Sequence, residues 1–202
     1  MEEKNRAFAA MLKAAKGRLA GRDPETIAAN TGLSFDPVSS VFRLSSLGRD
    51  IQISYPGYDI TPELDSWHHL IILHYLDVAD GTAPIGRLMS FESLPDGLAR
   101  GGGFDRQCES TISQRIAGRA PEALRAACMA LGGEIIPSNA DLGAVFPFLP
   151  LYPVTLKIWF PDEDIPGAGR MFLDESASHF VSVEDAITVG GLILDGILGH
   201  LQ

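Results

Sequence analysis

Two stretches of the 202-residue chain alternate apolar and polar residues with a period of two, Ile51 to Tyr55 and Val154 to Phe160. Successive side chains of a strand point to opposite faces of its sheet, so this alternation commits both stretches to strands buried on one face. The strand signals come in runs: Val41 to Leu44 and Ile51 to Tyr55 flank a turn at Leu47-Gly48-Arg49-Asp50, and Leu88 to Phe91 and Met171 to Leu173 add short strands. Helical patterns are inserted between the runs, and the regular strand–helix alternation of a doubly wound fold is missing. The expected class is therefore α+β, a mostly antiparallel sheet packed with helices. Pro150 and Pro153 cannot donate ladder hydrogen bonds, which puts the start of the Val154 strand at an edge or a bulge.

Phe8, Met11, Leu12, Ala15 and Leu19 recur at helical spacing and predict an amphipathic amino-terminal helix. Asp23 is a helix cap with Pro24 at the first helical position, and that short helix ends near Asn30 and Gly32. Thr61 reads as the cap of a mostly buried helix running from Pro62 through Ile71-Ile72-Leu73-His74-Tyr75-Leu76. Phe104, Cys108, Ile112 and Ile116 form one helical stripe, and Leu124, Cys128 and Leu131 another. Both cysteines thus read as buried and inert. Ser182-Val183-Glu184-Asp185 is a capping-box pattern opening a last apolar helix to about Leu201. The triplet Gly101-Gly102-Gly103 reads as a flexible linker, and Pro166 to Gly169 as a turn.

A chain of this length supports one sizeable core and would be cramped as two domains. The expected division is a basic arm over residues 1–22 and a single α+β domain over 23–202. The net charge of −10 divides into +4 on the arm and −14 on the remainder, and from Ile158 to Gln202 eight acids face Arg170 alone. A surface of that kind repels nucleic-acid backbones and anionic lipid, so neither is an expected partner. The arm is read as a solvated helix face, with docking on an acidic partner or on the body as the alternatives. No run reaches the roughly eighteen apolar residues of a membrane span. The start lacks the unbroken apolar centre of an export signal, and two cysteines are too few for a disulfide framework, so the expected location is cytoplasmic.

Three of the five histidines, His68, His69 and His74, fall on one predicted helix. At about 100° per residue, His69 and His74 point about 140° apart and His68 and His74 about 120° apart, so they cannot converge on one metal. Asp65 stands where it could hold the ring of His68 or His69. His74 lies in an apolar run and reads first as a core histidine bonded to backbone, second as a ligand or general base. Among the carboxy-terminal acids, Asp174 ends a probable strand, and Asp174 with His179 are the candidate metal ligands; the spacing does not match a calcium-binding helix–loop–helix. The glycine-rich stretch is neither G-x-G-x-x-G nor a Walker A sequence. G-x-S-x-G, C-x-x-C and D-x-H-x-x-G are all missing from the sequence.

Several ordered pieces resemble an uncharacterised family, the domain of unknown function 3786. They are Asp23-Pro24-Glu25 to Gly32, Leu47-Gly48-Arg49, Ile72 to Leu76, Met89 to Gly97, Leu131-Gly132-Gly133, Leu149-Pro150, Trp159 to Asp164 and Phe172 to Ala177. The sequence departs from the family pattern after Leu94-Pro95, at Asp96 to Gly103. His74, Tyr75, Ser90, Phe91, Pro95 and Gly97, all within the matching pieces, are the ligand-binding candidates, although the resemblance itself implies little mechanism. It implies an anaerobic bacterial or archaeal setting, in which some relatives carry an iron–sulfur segment like that of corrinoid iron–sulfur proteins. Cys108 and Cys128 alone cannot build a four-thiolate cluster site. The expected function is a non-catalytic binding or accessory module beside redox, corrinoid or iron–sulfur machinery, holding a partner protein or a planar cofactor such as cobalamin, haem or flavin. The alternative is a small enzyme using His74 or Asp174 as acid–base group or metal ligand; a catalytic His74 would have to border a pocket and own a charged partner.

Overall fold

The structure is a computed structural model that describes residues 2–201, with side chains from Arg6 onward. Two helices lead, α1 (Glu2–Leu19) and α2 (Pro24–Thr31), followed by a four-stranded sheet of β1 (Ser34–Asp36), β2 (Val41–Ser46), β3 (Arg49–Ser54) and β4 (Ile60–Thr61) in that spatial order. Helix α3 (Ser66–Val78) then crosses to β5 (Leu88–Met89), and α4 (Gly97–Thr111) runs into a π-helical turn at Ile112–Ile116. After α5 (Pro121–Ala130) come β6 (Glu134–Ile136), β7 (Leu142–Leu149), β8 (Tyr152–Trp159) and β9 (Ala168–Asp174), and α6 (Val183–His200) closes the chain. The second sheet has the order β5-β9-β8-β7-β6. All its ladders and those of the first sheet are antiparallel, as the runs of strand signals require. No helix among the described residues is long and apolar enough to cross a membrane.

The β2–β3 hairpin turns on Leu47 and Gly48, both at positive φ (48° and 70°), the two-residue geometry that follows strand twist. A Cβ on Gly48 would stand 2.3 Å from the carbonyl oxygen of Ala130, so the hairpin tip docks on the end of α5 only because this residue has none. In the second sheet, Val154, Leu156 and Ile158 of β8 share the inner face with Phe146, Ala144 and Leu142 of β7 and with Leu173 and Met171 of β9. Helices α4 and α6 pack together over this sheet; Phe104 of α4 and Met171 of β9 both reach the spot where Gly190 of α6 lacks a Cβ. Ala186, Val189, Ile193 and Ile197 give α6 a fully buried stripe. Thr155, Lys157, Val145 and Phe172 face the other way.

Three local expectations change. Thr61 does not cap a helix: Ile60 and Thr61 pair with Ile53 and Gln52 as β4, and the helix begins at Ser66, with the Asp65 carboxylate accepting from the Trp67 and His68 amides. Asp65 therefore holds the helix end rather than an imidazole. Leu88 to Phe91 is a strand only through Met89, because Phe91 enters a 3₁₀ turn whose Phe91 and Glu92 amides donate to the Asp105 carboxylate. The glycine triplet is no linker; it forms the middle of α4. Pro153 sits opposite Pro147 beside a register shift between Pro147 and Leu149, which is the bulge expected of that strand start.

The amino-terminal helix is docked on the body. Ala15 and Leu19 are fully buried, and Phe8 and Leu12 pack on the core. Lys16 pairs with Asp59 at 2.7 Å, Arg18 with Asp77 at 2.5 Å, and Arg22 bonds the Asp77 carboxylate at 2.9 Å and its carbonyl at 2.6 Å. The basic face is thus partly engaged with acids of the body, not merely solvated. Surface pairs of this kind each contribute little, so the buried stripe is what holds the helix.

Candidate functional site

The outward face of β8 forms the floor of a cleft of about 360 Å³. Lys157, Thr155 and Pro153 line it at every second residue, and Val145 lies beside Thr155 in register. One wall is Ile136 to Ser138, leaving β6. The other is the strap from Pro84 to Leu88 that follows α3. Four residue steps along the strand separate Lys157 at one end from Pro153 at the other, about 13 Å. The antiparallel register sets Asp174 of β9 next to Pro153, because Val154 pairs with Leu173.

Asp174 is a latch. Its carboxylate accepts from the Ile85 amide (2.9 Å), the Gly86 amide (2.6 Å), the Ser176 amide (3.0 Å) and the Ser176 hydroxyl (2.7 Å). Burial pushes its pKa up, but hydrogen bonds from Ser176, Ile85 and Gly86 outweigh this and leave the carboxyl below the ordinary aspartate value. Two more contacts pin the strap: Nδ1 of His179 lies 2.7 Å from the Asp80 carboxylate, and Arg87 pairs with Glu175 at 2.5 Å. The His179 and Thr82 hydrogen bonds hold the Asp80 carboxyl down at about 2. The two candidate metal ligands thus serve one strap through different partners, and no group of three or more His, Cys, Asp or Glu among the described residues is placed to hold a metal ion.

Lys157 is the cation of the cleft. Its Nζ donates to Asn139 Oδ1 at 2.9 Å and stands 5.6 Å from the centre of the Phe172 ring. Among the described residues it has no carboxylate partner. Thr155 is 5% exposed, and its hydroxyl forms no hydrogen bond within the described chain.

The three histidines of α3 occupy three environments, as their helical angles require. His68 is buried, its Nε2 2.8 Å from the Ser46 hydroxyl and its ring 5.0 Å from that of Phe148. Burial, with the Arg49 charge adding repulsion, lowers it to about 4. His69 is lowered in the same way, and its Nε2 is buried without a partner. His74 does not bond to backbone: its Nδ1 lies 2.9 Å from Asp185 Oδ1 at the start of α6, and the ring is half-buried. Asp185 Oδ2 accepts from the Ser182 hydroxyl, which in turn accepts from the Asp185 amide and so caps the helix. The Tyr152 hydroxyl is buried without a partner, its pKa raised by burial and then by the Asp185 charge. His74 therefore owns a charged partner, yet it does not line the cleft on the second sheet.

His68 makes the fold acid-sensitive. An unfolded histidine titrates near 6.5, so between about pH 6.5 and 4 the unfolded chain holds a proton that the folded chain does not, and stability falls as pH falls. Urea denaturation between pH 7 and 4 is expected to show a loss of about 3 kcal/mol from His68, to which the lowered His69 adds, and His68→Gln is expected to remove the His68 share of that slope.

The remaining candidates build structure. Tyr75 is fully buried, donating to the Thr31 carbonyl at 2.6 Å and accepting from the Leu151 amide at 3.1 Å. The Ser90 hydroxyl meets that of Ser93, Phe91 stacks on Phe104 with ring centres 4.6 Å apart, Pro95 lies in the turn, and Gly97 opens α4. None of these lines the cleft. Cys108 and Cys128 are buried, and burial pushes their thiols up to about 12 and about 11. Sequence reasoning passed over Lys157 and Thr155, although both sit at outward positions of the strongest strand pattern; the signal was present, but nothing local says which outward row stays open.

A family model described as Domain of unknown function (DUF3786) matches residues 23–195, from the cap of α2 into the last turns of α6, and so spans the cleft, the strap and the His74–Asp185 pair. No curated protein and no solved structure matches the chain. A match over most of the chain, beginning where the docked helix ends, places this protein in the DUF3786 family.

Proposed function

We propose that this protein is a non-catalytic binding module that holds a small planar ligand in the cleft on the outer face of its second sheet, and that it serves as an accessory to redox or corrinoid enzymes. The observation that carries the reading is the cleft itself. Its walls are mostly apolar, it has one cation without a carboxylate partner among the described residues, and the carboxylate at its far end is held by four hydrogen bonds from the strap and Ser176. Ligand sites are mostly apolar with a few placed polar groups and span about 300–1,000 Å³. A cleft of 360 Å³ lies at the small end, which suits a single planar ring system such as a flavin and leaves a corrin or haem only an edge to insert. The setting beside redox machinery comes from the family's context.

The test adds flavin mononucleotide, haem and hydroxocobalamin to the purified chain and follows melting. At a hundredfold excess over Kd, flavin mononucleotide is expected to stabilise by about 2.7 kcal/mol, a rise of about 5–10 °C for a chain of this size. Thr155→Trp, which fills the floor, is expected to remove the rise. No shift with any of the three would end the ligand reading.

One observation favours the enzymatic reading, the 2.9 Å contact of His74 Nδ1 with Asp185, since a carboxylate at Nδ1 is how a general-base histidine is oriented. If hydrolysis of p-nitrophenyl acetate is equal in the native and His74→Gln chains, the pair serves only to tie α3 to α6.

A further inference from the structure

We infer that the cleft selects ligands bearing an anionic group, carboxylate or phosphate, and that Lys157 is the residue that anchors it. The inference rests on the binding reading above and adds the ligand's chemistry. Residues 23–202 carry a net charge of −14, so the field of the body as a whole disfavours an anion. Lys157 is the exception within the cleft, with no carboxylate partner among the described residues. An ammonium has three donors. One goes to Asn139 Oδ1, and the Phe172 ring lies 5.6 Å away; neither contact neutralises the charge. A carboxylate or phosphate that meets this ammonium forms a charge-assisted hydrogen bond, about twice as strong as a neutral one.

The far end fixes polarity. Asp174 lies beside Pro153, about 13 Å along the floor from Lys157, and its oxygens are occupied by the strap and Ser176. Three of the four bonds fall on Oδ1 and one on Oδ2, and the negative charge they hold in place turns an anionic group away. A ligand therefore lies with its anionic group at Lys157, its apolar body over Thr155 and Val145, and its uncharged end under the strap.

Two fluorescent probes with one apolar body test this: 1-anilinonaphthalene-8-sulfonate and its uncharged parent N-phenyl-1-naphthylamine. The sulfonate is expected to bind the full chain about tenfold more tightly, the scale of one charge-assisted bond. In Lys157→Gln the difference is expected to vanish while the parent still binds. Displacement by 2-naphthoate and by 2-naphthyl phosphate distinguishes the two anion sources, the tighter competitor naming the group. Equal binding of the two probes to the native chain would overturn the anion anchor and leave the cleft reading standing. Thr155→Trp is expected to abolish binding of both probes. Ser138→Trp, on the exposed wall, repeats that test should the first variant not fold. If both tryptophan variants leave binding unchanged, or if the chain sediments as a dimer that excludes both probes, the cleft is no ligand site and this inference falls with it.

Discussion

Gly101→Ala is expected to destabilise the protein by about 4 kcal/mol and to lower its melting temperature by about 10 °C, while Gly103→Ala raises stability by about 0.5–1 kcal/mol. The two residues are neighbours on one helix and differ in what they face. A Cβ on Gly101 would lie 2.2 Å from the carbonyl oxygen of Phe91, 2.5 Å from its carbon and 2.8 Å from the amide of Glu92. All three are backbone atoms of the 3₁₀ turn, so no side chain can rotate away. The turn is itself clamped, since Phe91 is fully buried against Phe104 and the Phe91 and Glu92 amides bond Asp105. Relief requires α4 to lift from the turn, which opens a gap around Phe91 and adds a cavity cost. At Gly103 a Cβ meets nothing within 4 Å, and alanine simply limits the unfolded chain. Chemical denaturation of both variants decides the matter. A neutral Gly101→Ala would mean that the helix does not seat on the turn.

Removing the latch should cost nearly as much. Asp174→Ala is expected to destabilise by about 4 kcal/mol at pH 7, because charge-assisted hydrogen bonds contribute about 1.5–3 kcal/mol each, not additively, and four donors lose their acceptor together. Hydrogen exchange should show the Ile85 and Gly86 amides losing protection ahead of those in β8. The pH dependence follows from the direction of the shift. The folded carboxyl titrates below its unfolded value of 3.8, so its stabilisation is complete above about pH 4–5 and is lost as pH falls through the folded value. Asp174→Ala should therefore reduce the acid limb below about pH 4 and leave the limb between about pH 6.5 and 4, which belongs to His68 and His69. If Ile85 and Gly86 keep their protection in the variant, the strap is held by Asp80–His179 and Arg87–Glu175 instead.

Much of the fold was legible because it is written locally. The alternation in β3 and β8, the stripes through Phe104–Ile116 and Leu124–Leu131, and the caps at Asp23 and Ser182 each reflect a few adjacent residues meeting one surface. The misreadings have one cause. Gly101 to Gly103 carry no side-chain periodicity, so a helix built to let a backbone approach looks like a linker. Thr61 and Asp65 are both competent caps, and β4 pairing with β3 decided between them. His74 reads as a backbone-bonded core residue from its own segment because Asp185 lies 111 positions away.

The candidate site lies almost wholly on that second side. Asp174 could be picked from its place at a strand end, but its donors at Ile85 and Gly86 come from 89 and 88 residues away, and the Asp80–His179 pair spans 99. By itself the sequence determined which segments are strands and helices, which of their faces are apolar, and that the three histidines of α3 diverge. Only the tertiary structure decided which outward row of the second sheet stays open, so that Lys157 and Thr155 form a cleft floor, and which acid meets which amide or imidazole. Periodicity and capping act within a turn or two of chain, whereas a pocket and its latches are made of contacts that exist only once distant elements have packed.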